Sequence, residues 1–254
     1  MLGQMAKKYF GLQGYTVTSF DERFDYANRG SYRCFLRAVR GAVVINCIGK
    51  IKQKSDNTTD LLLANTVLPA ELRNCLGDEV ILVHPSTDCV FRGDLGSPYS
   101  STYLTDAEDD YGWSKRLGEV VLTGRDNTLV PRVSIIGPDE NLGGKGLMAW
   151  VMSHAAGSSI NGYKNHLWNG ITTLEWCKQV EGFISRNNNF DFRLLQYGTS
   201  EYYSKYDLLV LFSKVFNLRL SIDPIETATP IDRRLLPDIN CKSLSIQLEE
   251  LKKL

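Results

Sequence analysis

The chain has 254 residues, 43% of them apolar, and its 29 basic residues balance its 29 acidic ones. This is enough apolar material for a sizeable core, in one large domain or two interleaved lobes. The balanced charge predicts no nucleic-acid partner, and the longest apolar run, residues 147–152, is far too short to span a membrane.

The first predicted elements are a helix over residues 5–11 and a strand over residues 15–20, which ends before Asp21. A short, continuously apolar strand over residues 42–45 follows, which is typical of a parallel sheet buried on both faces. The next predicted element is a helix over residues 59–74. It contains Pro69, which should kink it or begin a second helical segment.

A second apolar strand, residues 80–83, leads to the tripeptide Ser86-Thr87-Asp88. Thr87 should therefore lie just beyond the C-terminal end of a strand. In an open α/β sheet this edge is where ligands bind. The hydroxyl of Thr87 is accordingly a candidate functional group.

Tyr111 and Lys115 are four residues apart on the next predicted helix, which runs to about Leu122. Side chains at this spacing share one face of a helix. Because an ammonium beside a phenol favours the phenolate, we expect Lys115 to lower the pKa of Tyr111 and make it a proton donor or acceptor near neutral pH. The pattern alone is common, so an exposed pair without chemistry is the alternative.

Further predicted elements are a buried strand over residues 129–137, a helix over 147–156 and a helix over 205–216 with an apolar core stripe. Residues 160–173 are rich in loop-forming and aromatic residues with Asn and Lys, a composition that suits binding of a nucleoside-diphosphate sugar; a turn-rich connection with a buried Trp is the alternative. Together these elements predict an α/β fold with a Rossmann-type, doubly wound parallel sheet and a smaller C-terminal lobe.

The ordered pair of segments, Ser86-Thr87-Asp88-Cys89-Val90-Phe91 and then Tyr111-Gly112-Trp113-Ser114-Lys115, resembles the extended short-chain dehydrogenase/reductase superfamily. Within it, the chain is most similar to the dTDP-4-dehydrorhamnose reductase group, most strongly over residues 46–137. The resemblance implies that Thr87, Tyr111 and Lys115 form a catalytic trio. It also implies reduction of a keto group on a nucleotide-activated deoxysugar by NADP or NAD, in polysaccharide or cell-surface sugar biosynthesis.

The same resemblance places Gly3 at the last glycine of the family's phosphate-binding turn, whose first strand and first two glycines are absent from the sequence. We therefore expect an incomplete dinucleotide-binding domain over residues 1–140 and a mainly substrate-binding lobe over 141–254, interleaved with it. Gly3 as an ordinary terminal residue is the alternative. Asp21 would bond a ribose hydroxyl and favour NAD, whereas Arg23 would favour the phosphate of NADP.

The resemblance also implies further site residues. Those expected on the cofactor side, besides Tyr111 and Lys115, are Asn46, Cys47, Ile48, Gly49, Asn65, Ser86, Val133 and Ser134. Those expected on the substrate side are Asp88, Val90, Phe91, Lys145, Trp168 and Arg233. For Asn65 and Lys145 a solvated position is the alternative, for Trp168 a buried one, and Arg233 is not separable from its neighbour Arg234.

Two other functions use the same scaffold. A nucleotide-sugar epimerase or dehydratase would use the same tyrosine and lysine with tightly held NAD. A non-catalytic NAD(P)-binding regulatory module would need neither residue, so the presence of Thr87, Tyr111 and Lys115 argues against it. A homodimer is a possible assembly.

The six cysteines are scattered without a Cys-x-x-Cys pair, and the three histidines lack metal-ligand spacing. His84 is interpreted as a packed strand residue. We predict no metal site and, because unpaired cysteines suit a reducing compartment, a cytoplasmic protein.

Overall fold

The computed structural model describes residues 1–20, 24–52, 57–139 and 146–254. Its α-helices are α1 (Leu2–Leu12), α2 (Arg29–Ala38), α3 (Thr58–Leu62), α4 (Leu68–Cys75), α5 (Asp110–Leu122), α6 (Leu147–Met152), α7 (Thr173–Ile184), α8 (Lys205–Val215) and α9 (Leu244–Lys252). Its strands are β1 (Val43–Ile45), β2 (Ile81–Val83), β3 (Thr128–Arg132), β4 (Ile135–Ile136), β5 (Ser159–Tyr163), β6 (His166–Trp168), β7 (Ile171–Thr172), β8 (Arg193–Thr199), β9 (Tyr203–Ser204), β10 (Ser221–Ile225), β11 (Ile231–Asp232) and β12 (Ile239–Cys241).

Five parallel strands form the central sheet, in the order β1-β2-β3-β8-β12. All five side chains of β3 are buried, as expected of a strand covered on both faces. Among the described residues no further strand pairs with the outer edge of β1. The predicted α/β class with a parallel sheet is confirmed.

The C-terminal half contributes to this sheet and also forms several small sheets. Strands β8 and β12 lie beyond the predicted boundary at residue 140, yet they complete the central sheet. The remaining strands form small sheets, in which β10 pairs with β5, β6 lies between β11 and β9, and β4 pairs with β7. The chain therefore crosses between the two parts several times.

Two sequence predictions of secondary structure are wrong. Residues 15–20 form no strand, and Tyr15–Ser19 are exposed, because a strand needs a neighbour to satisfy its backbone groups and none lies beside this segment in the described part of the chain. Residues 160–173 are not a simple turn-rich connection. They contain β6, β7 and most of β5, whose partners come from distant parts of the sequence.

Proline does divide the predicted helix over residues 59–74, as expected. Pro69 is the second residue of α4, directly after a helical turn that is wound differently. A π-helical turn, Leu63–Val67, connects α3 to α4. No helix within the described ranges is long and apolar enough to cross a membrane.

Candidate active site

The segment that follows β2 folds back on itself at the C-terminal edge of the sheet. Thr87 caps a single 3-10 turn, Asp88–Val90, by accepting a hydrogen bond from the backbone N–H of Cys89 at 3.1 Å. The side chains of Thr87 and Asp88 are both buried, with 6% of their surface exposed. This turn holds a hydroxyl and a carboxylate at the edge where α/β proteins bind ligands.

Helix α5 lies directly against this turn because two of its residues have no side chain. A Cβ on Gly112 would lie 2.3 Å from the carbonyl oxygen of Cys89, and one on Gly118 would lie 2.2 Å from that of Asn65. Asp109 caps the helix by accepting a hydrogen bond from the N–H of Gly112 at 2.7 Å. The two glycines therefore set how closely α5 approaches the site.

Tyr111, in the first turn of α5, meets Thr87. The Thr87 hydroxyl is near enough to the phenol to lower its pKa, so the structure brings these two predicted residues together. The predicted direction of the pKa shift is wrong. Burial raises the pKa of Tyr111, and Cys89, Asp88 and Asp109 raise it further, while the Thr87 hydroxyl lowers it.

Lys115 is buried one turn further along α5. Its Nζ donates a hydrogen bond to the carbonyl oxygen of Pro85 at 2.6 Å and lies 3.4 Å from His84 Nε2. Burial lowers the pKa of Lys115 to about 8, and the carboxylate of Glu119 opposes that shift. The ammonium is therefore turned toward the strand end, which explains why it is not the group that controls the pKa of Tyr111.

Asn65 connects the loop after β1 to helix α5. It lies in the π turn and is 1% exposed. Its amide accepts a hydrogen bond from the N–H of Lys50 at 3.0 Å, and donates to the Lys50 carbonyl oxygen at 2.9 Å and to Ser114 Oγ at 3.0 Å. Asn65 is thus a buried brace behind the site and not a solvated helix residue.

Ser86 is held in a buried ion-pair network. Its hydroxyl donates to Glu119, whose carboxylate also binds Arg132 through Nε at 2.9 Å and Nη2 at 2.7 Å. The Arg132 guanidinium also lies over the ring of Phe91, 5.1 Å from its centroid. The Ser86 hydroxyl is therefore already bound by the Glu119–Arg132 ion pair beneath the site.

Three apolar side chains that the resemblance assigned to the site are buried in the protein. Val90 and Phe91 are fully buried, and Phe91 stacks on Tyr99 with ring centroids 4.3 Å apart. Val133 is 2% exposed. All three side chains pack in the interior, and their expected contacts with cofactor or substrate stay predictions.

Trp168 and Ser134 contact each other. The indole N–H of Trp168 donates to Ser134 Oγ at 2.6 Å, and the ring is only 2% exposed. Lys205, the first residue of α8, places its Nζ 5.4 Å from the centroid of that ring. The buried Trp168 ring therefore packs against Ser134 and Lys205. It has little exposed surface on which a substrate could stack.

Two cations face the Thr87 turn from the C-terminal lobe. Arg233 donates to Cys89 Sγ at 3.3 Å. Burial lowers the pKa of Lys205, while Asp88 and Cys89 oppose that shift and Arg233 adds to it. Burial and then Asp88 raise the pKa of Cys89 to about 12, so this thiol is not a nucleophile near neutral pH.

Several residues predicted on the cofactor side lie near the start of α1. Gly3 packs on the loop after β1, where a Cβ would lie 3.2 Å from Cys47 Cβ, and a Cβ on Gly49 would lie 3.3 Å from Asn65 Oδ1. The N–H of Ile48 donates to Asn46 Oδ1 at 3.1 Å. Asp21, Arg23 and Lys145 lie outside the described residues.

The sequence does not identify four residues that contribute to the site, namely His84, Glu119, Arg132 and Lys205. His84 was interpreted as a packed strand residue, but it lies between Asn46 and Lys115. The Glu119–Arg132 pair gave no signal, since its residues come from different elements. Lys205 gave none either, because it follows an ordinary helix cap, Ser204.

The family model described as the RmlD substrate binding domain matches residues 1–157 of this chain. The chain belongs to this family. A curated relative, a probable dTDP-4,6-dihydroxy-2-methyloxan-3-one 4-ketoreductase from Streptomyces antibioticus, is 31% identical over 120 residues, which are 44% of this chain. That match spans only 40% of the relative's own length.

Solved structures of similar fold cover almost the whole chain. The dTDP-4-dehydrorhamnose reductase from Bacillus anthracis str. Ames, in complex with NADP, has a TM-score of 0.83 at 16% identity, over 99% of this chain and 95% of that one. The ortholog from Clostridium acetobutylicum gives 0.81 at 18% identity, over 99% and 95%. A UDP-glucose 4-epimerase from Thermotoga maritima gives 0.76 at 13% identity, over 100% and 96%. At these identities the likeness shows the fold.

Proposed function

We propose that this RmlD-family chain is an NAD(P)-dependent reductase that acts on a keto group of a nucleotide-activated deoxysugar. The observation that carries the proposal is the nearness of the Thr87 hydroxyl to the Tyr111 phenol at the C-terminal edge of the sheet, with Lys115 buried one turn further along the same helix. The names of the similar proteins support the substrate class, because they include a dTDP-sugar ketoreductase and dTDP-4-dehydrorhamnose reductases.

The chemistry assigned to the protein is placement of the keto group and delivery of one proton. Thr87 Oγ1 orients the substrate's carbonyl oxygen beside Tyr111 Oη, and Tyr111 donates its proton to that oxygen as it becomes a hydroxyl. The raised pKa of Tyr111 suits this role, because the phenol still carries its proton at neutral pH. The nicotinamide cofactor, when bound, supplies the hydride.

The donor set around Gly3 fits a dinucleotide. The close approach of Gly3 to Cys47 is of the kind that a glycine in a phosphate-binding turn permits. N–H groups in the first turn of a helix bind phosphate, and α1 begins at Leu2. The loop of residues 46–49 would lie along the rest of the cofactor, and Lys115 would hold its ribose.

The two cations of the C-terminal lobe are proposed to bind the diphosphate of the substrate. Lys205 Nζ makes no hydrogen bond or ion pair to any residue that the structure describes, and it lies 5.4 Å from the centroid of the Trp168 ring. Arg233 lies on the same side, against Cys89. A diphosphate beside them would offset the cost of burying two positive charges.

The test is a reaction with a dTDP-linked 4-keto-6-deoxysugar and NADPH or NADH, followed by cofactor absorbance and mass analysis of the sugar. The proposal expects one equivalent of cofactor to be consumed for each alcohol formed. Copurified NAD with no net consumption would instead indicate an epimerase or dehydratase. Cofactor binding without any turnover would indicate a regulatory module, and either result would refute the reductase.

The diphosphate contact has its own test. Lys205→Met is expected to raise KM for the nucleotide sugar by roughly tenfold, the effect of losing one charge-assisted hydrogen bond, with kcat changed much less. Lys214→Met, which removes an exposed lysine from the same helix, is the matched control. Equal KM values for the two variants would remove Lys205 from the substrate site.

We also propose that the protein acts in the cytoplasm and forms a homodimer. All six cysteines are unpaired, which fits action in a reducing cytoplasm. The exposed side chains of Trp113 and Val120 on α5 offer an apolar face for a homodimer. Sedimentation analysis of the purified protein tests the second proposal, and a monomer at all concentrations would reject it.

A further inference from the structure

A buried chain of three polar side chains leads from the loop after β1 to the amino group of Lys115. Asn46 Nδ2 lies 2.9 Å from His84 Nδ1, and His84 Nε2 lies 3.4 Å from Lys115 Nζ. The exposed fractions of Asn46, His84 and Lys115 are 5%, 1% and 7%. Because polar groups this deeply buried depend on their hydrogen bonds, the donors and acceptors of each one constrain those of its neighbour.

The Asn46 amide determines which nitrogen of His84 carries the proton. Asn46 Oδ1 accepts a hydrogen bond from the N–H of Ile48 at 3.1 Å, which leaves its Nδ2 to donate to His84 Nδ1. His84 Nδ1 is therefore an acceptor, and this hydrogen-bond network assigns the ring proton to Nε2. Burial and the nearby Lys115 hold the pKa of His84 well below its ordinary value, so the ring stays neutral.

An N–H that faces Lys115 Nζ distinguishes between the two forms of that group. The uncharged amine has a lone pair that can accept from His84 Nε2–H, whereas the ammonium has none. Among the described residues, Tyr111 lies one turn before Lys115 on the same helix and Glu119 one turn after it. The carboxylate of Glu119 favours the ammonium, but it is already bound by Arg132 from β3.

We propose that His84 is a positioning residue whose neutral ring, oriented by Asn46, holds the amino group of Lys115 against the Pro85 carbonyl and favours its uncharged form. An amino group that is partly uncharged at the working pH exchanges protons readily, whereas an ordinary lysine stays an ammonium. The inference rests on the proposed role of Lys115 in the reductase. It concerns, however, a property that is measurable without turnover.

The first measurement is the tautomer of His84 in the unaltered protein, from NMR of ¹⁵N-labelled histidine. We expect the proton on Nε2, with no titration of this ring between about pH 5.5 and about pH 9, where an ordinary histidine titrates. A proton on Nδ1, or a ring that becomes charged in this range, would overturn the proposal. This measurement needs no variant and so does not depend on how a substituted protein folds.

The second measurement is the pKa of Lys115, from the ¹³C shift of its Cε, in two variants of similar size. His84→Asn keeps a polar atom near the Nδ1 position but has none near Nε2, so the pKa should rise by roughly one unit, the effect of one lost hydrogen bond. His84→Gln places an amide nitrogen near the Nε2 position and should return the pKa toward the wild-type value. An unchanged pKa in a folded His84→Asn protein would contradict the proposal.

Activity assays on the same variants separate this inference from the proposed function. Where the enzyme reduces its substrate, the limb of the kcat profile that belongs to Lys115 should move with the pKa measured by NMR. A shifted pKa in a protein that never turns over would support the role of His84 and reject the reductase. Turnover with a pH profile that His84→Asn leaves unmoved would reject the role of His84.

Discussion

Replacing Lys115 with methionine should change how the stability of the protein depends on pH. Burial lowers the pKa of Lys115 from 10.5 to about 8. A group whose pKa is depressed on folding destabilises the native state fully below the folded pKa, and that cost disappears as pH rises to the unfolded pKa. The difference of about 2.5 units corresponds to about 3 kcal/mol between pH 8 and pH 10.5.

Between pH 7 and pH 9 the expected change in unfolding free energy is smaller but measurable. Between pH 7 and pH 9 the wild-type protein should gain about 1 kcal/mol of unfolding free energy relative to Lys115→Met, since the methionine variant has no proton to lose. Urea unfolding followed by circular dichroism at both pH values gives the difference. Ionisable groups that do not contact Lys115 contribute equally in both proteins, and His84 stays neutral in this range because burial is the larger cause of its lowered pKa.

The control is Lys7→Met, which removes an exposed lysine from α1. Its stability difference from the wild type should be the same at both pH values within about 0.3 kcal/mol. The reasoning is refuted if the Lys115→Met difference is equally flat, because the ammonium would then not be disfavoured by burial.

Two further predictions concern the elements that hold the site. Gly118→Ala should cost about 1–3 kcal/mol of stability, since the added Cβ would lie 2.2 Å from a carbonyl oxygen of the π turn, whereas Gly11→Ala, with nothing within 4 Å of the new atom, should be neutral or stabilising. Equal effects in urea unfolding would show that α5 moves freely. Glu119→Gln leaves the buried Arg132 guanidinium without its carboxylate and should cost about 3–5 kcal/mol. A loss below about 1 kcal/mol would mean that this pair is solvated.

The convergence of Thr87, Tyr111 and Lys115 could be predicted because each position follows from a local pattern. An apolar strand places Thr87 at the sheet edge, and four-residue spacing places Tyr111 and Lys115 on one helix face. The direction of the Tyr111 pKa could not be predicted in the same way. It depends on burial and on Asp88 and Cys89, which come from another segment.

Other features depend on contacts between distant segments. Residues 15–20 have the composition of a strand, but the sequence does not show whether a neighbouring strand is available to pair with them. The π turn that holds Asn65 is fixed by contacts with the loop near Lys50 and with α5, so a helical period alone predicts only a kink at Pro69. Lys205 joins the site only through the small sheets of the C-terminal lobe.

The most direct test of the central claim is the rate of NADPH oxidation with a dTDP-linked 4-keto-6-deoxysugar, compared between wild type and Tyr111→Phe. The ring still packs in the variant but has no proton to donate, so the rate should fall by ~10²–10⁴, while circular dichroism stays unchanged. Tyr26→Phe, at an exposed tyrosine, should keep the wild-type rate. A Tyr111→Phe rate close to that of wild type would contradict the account.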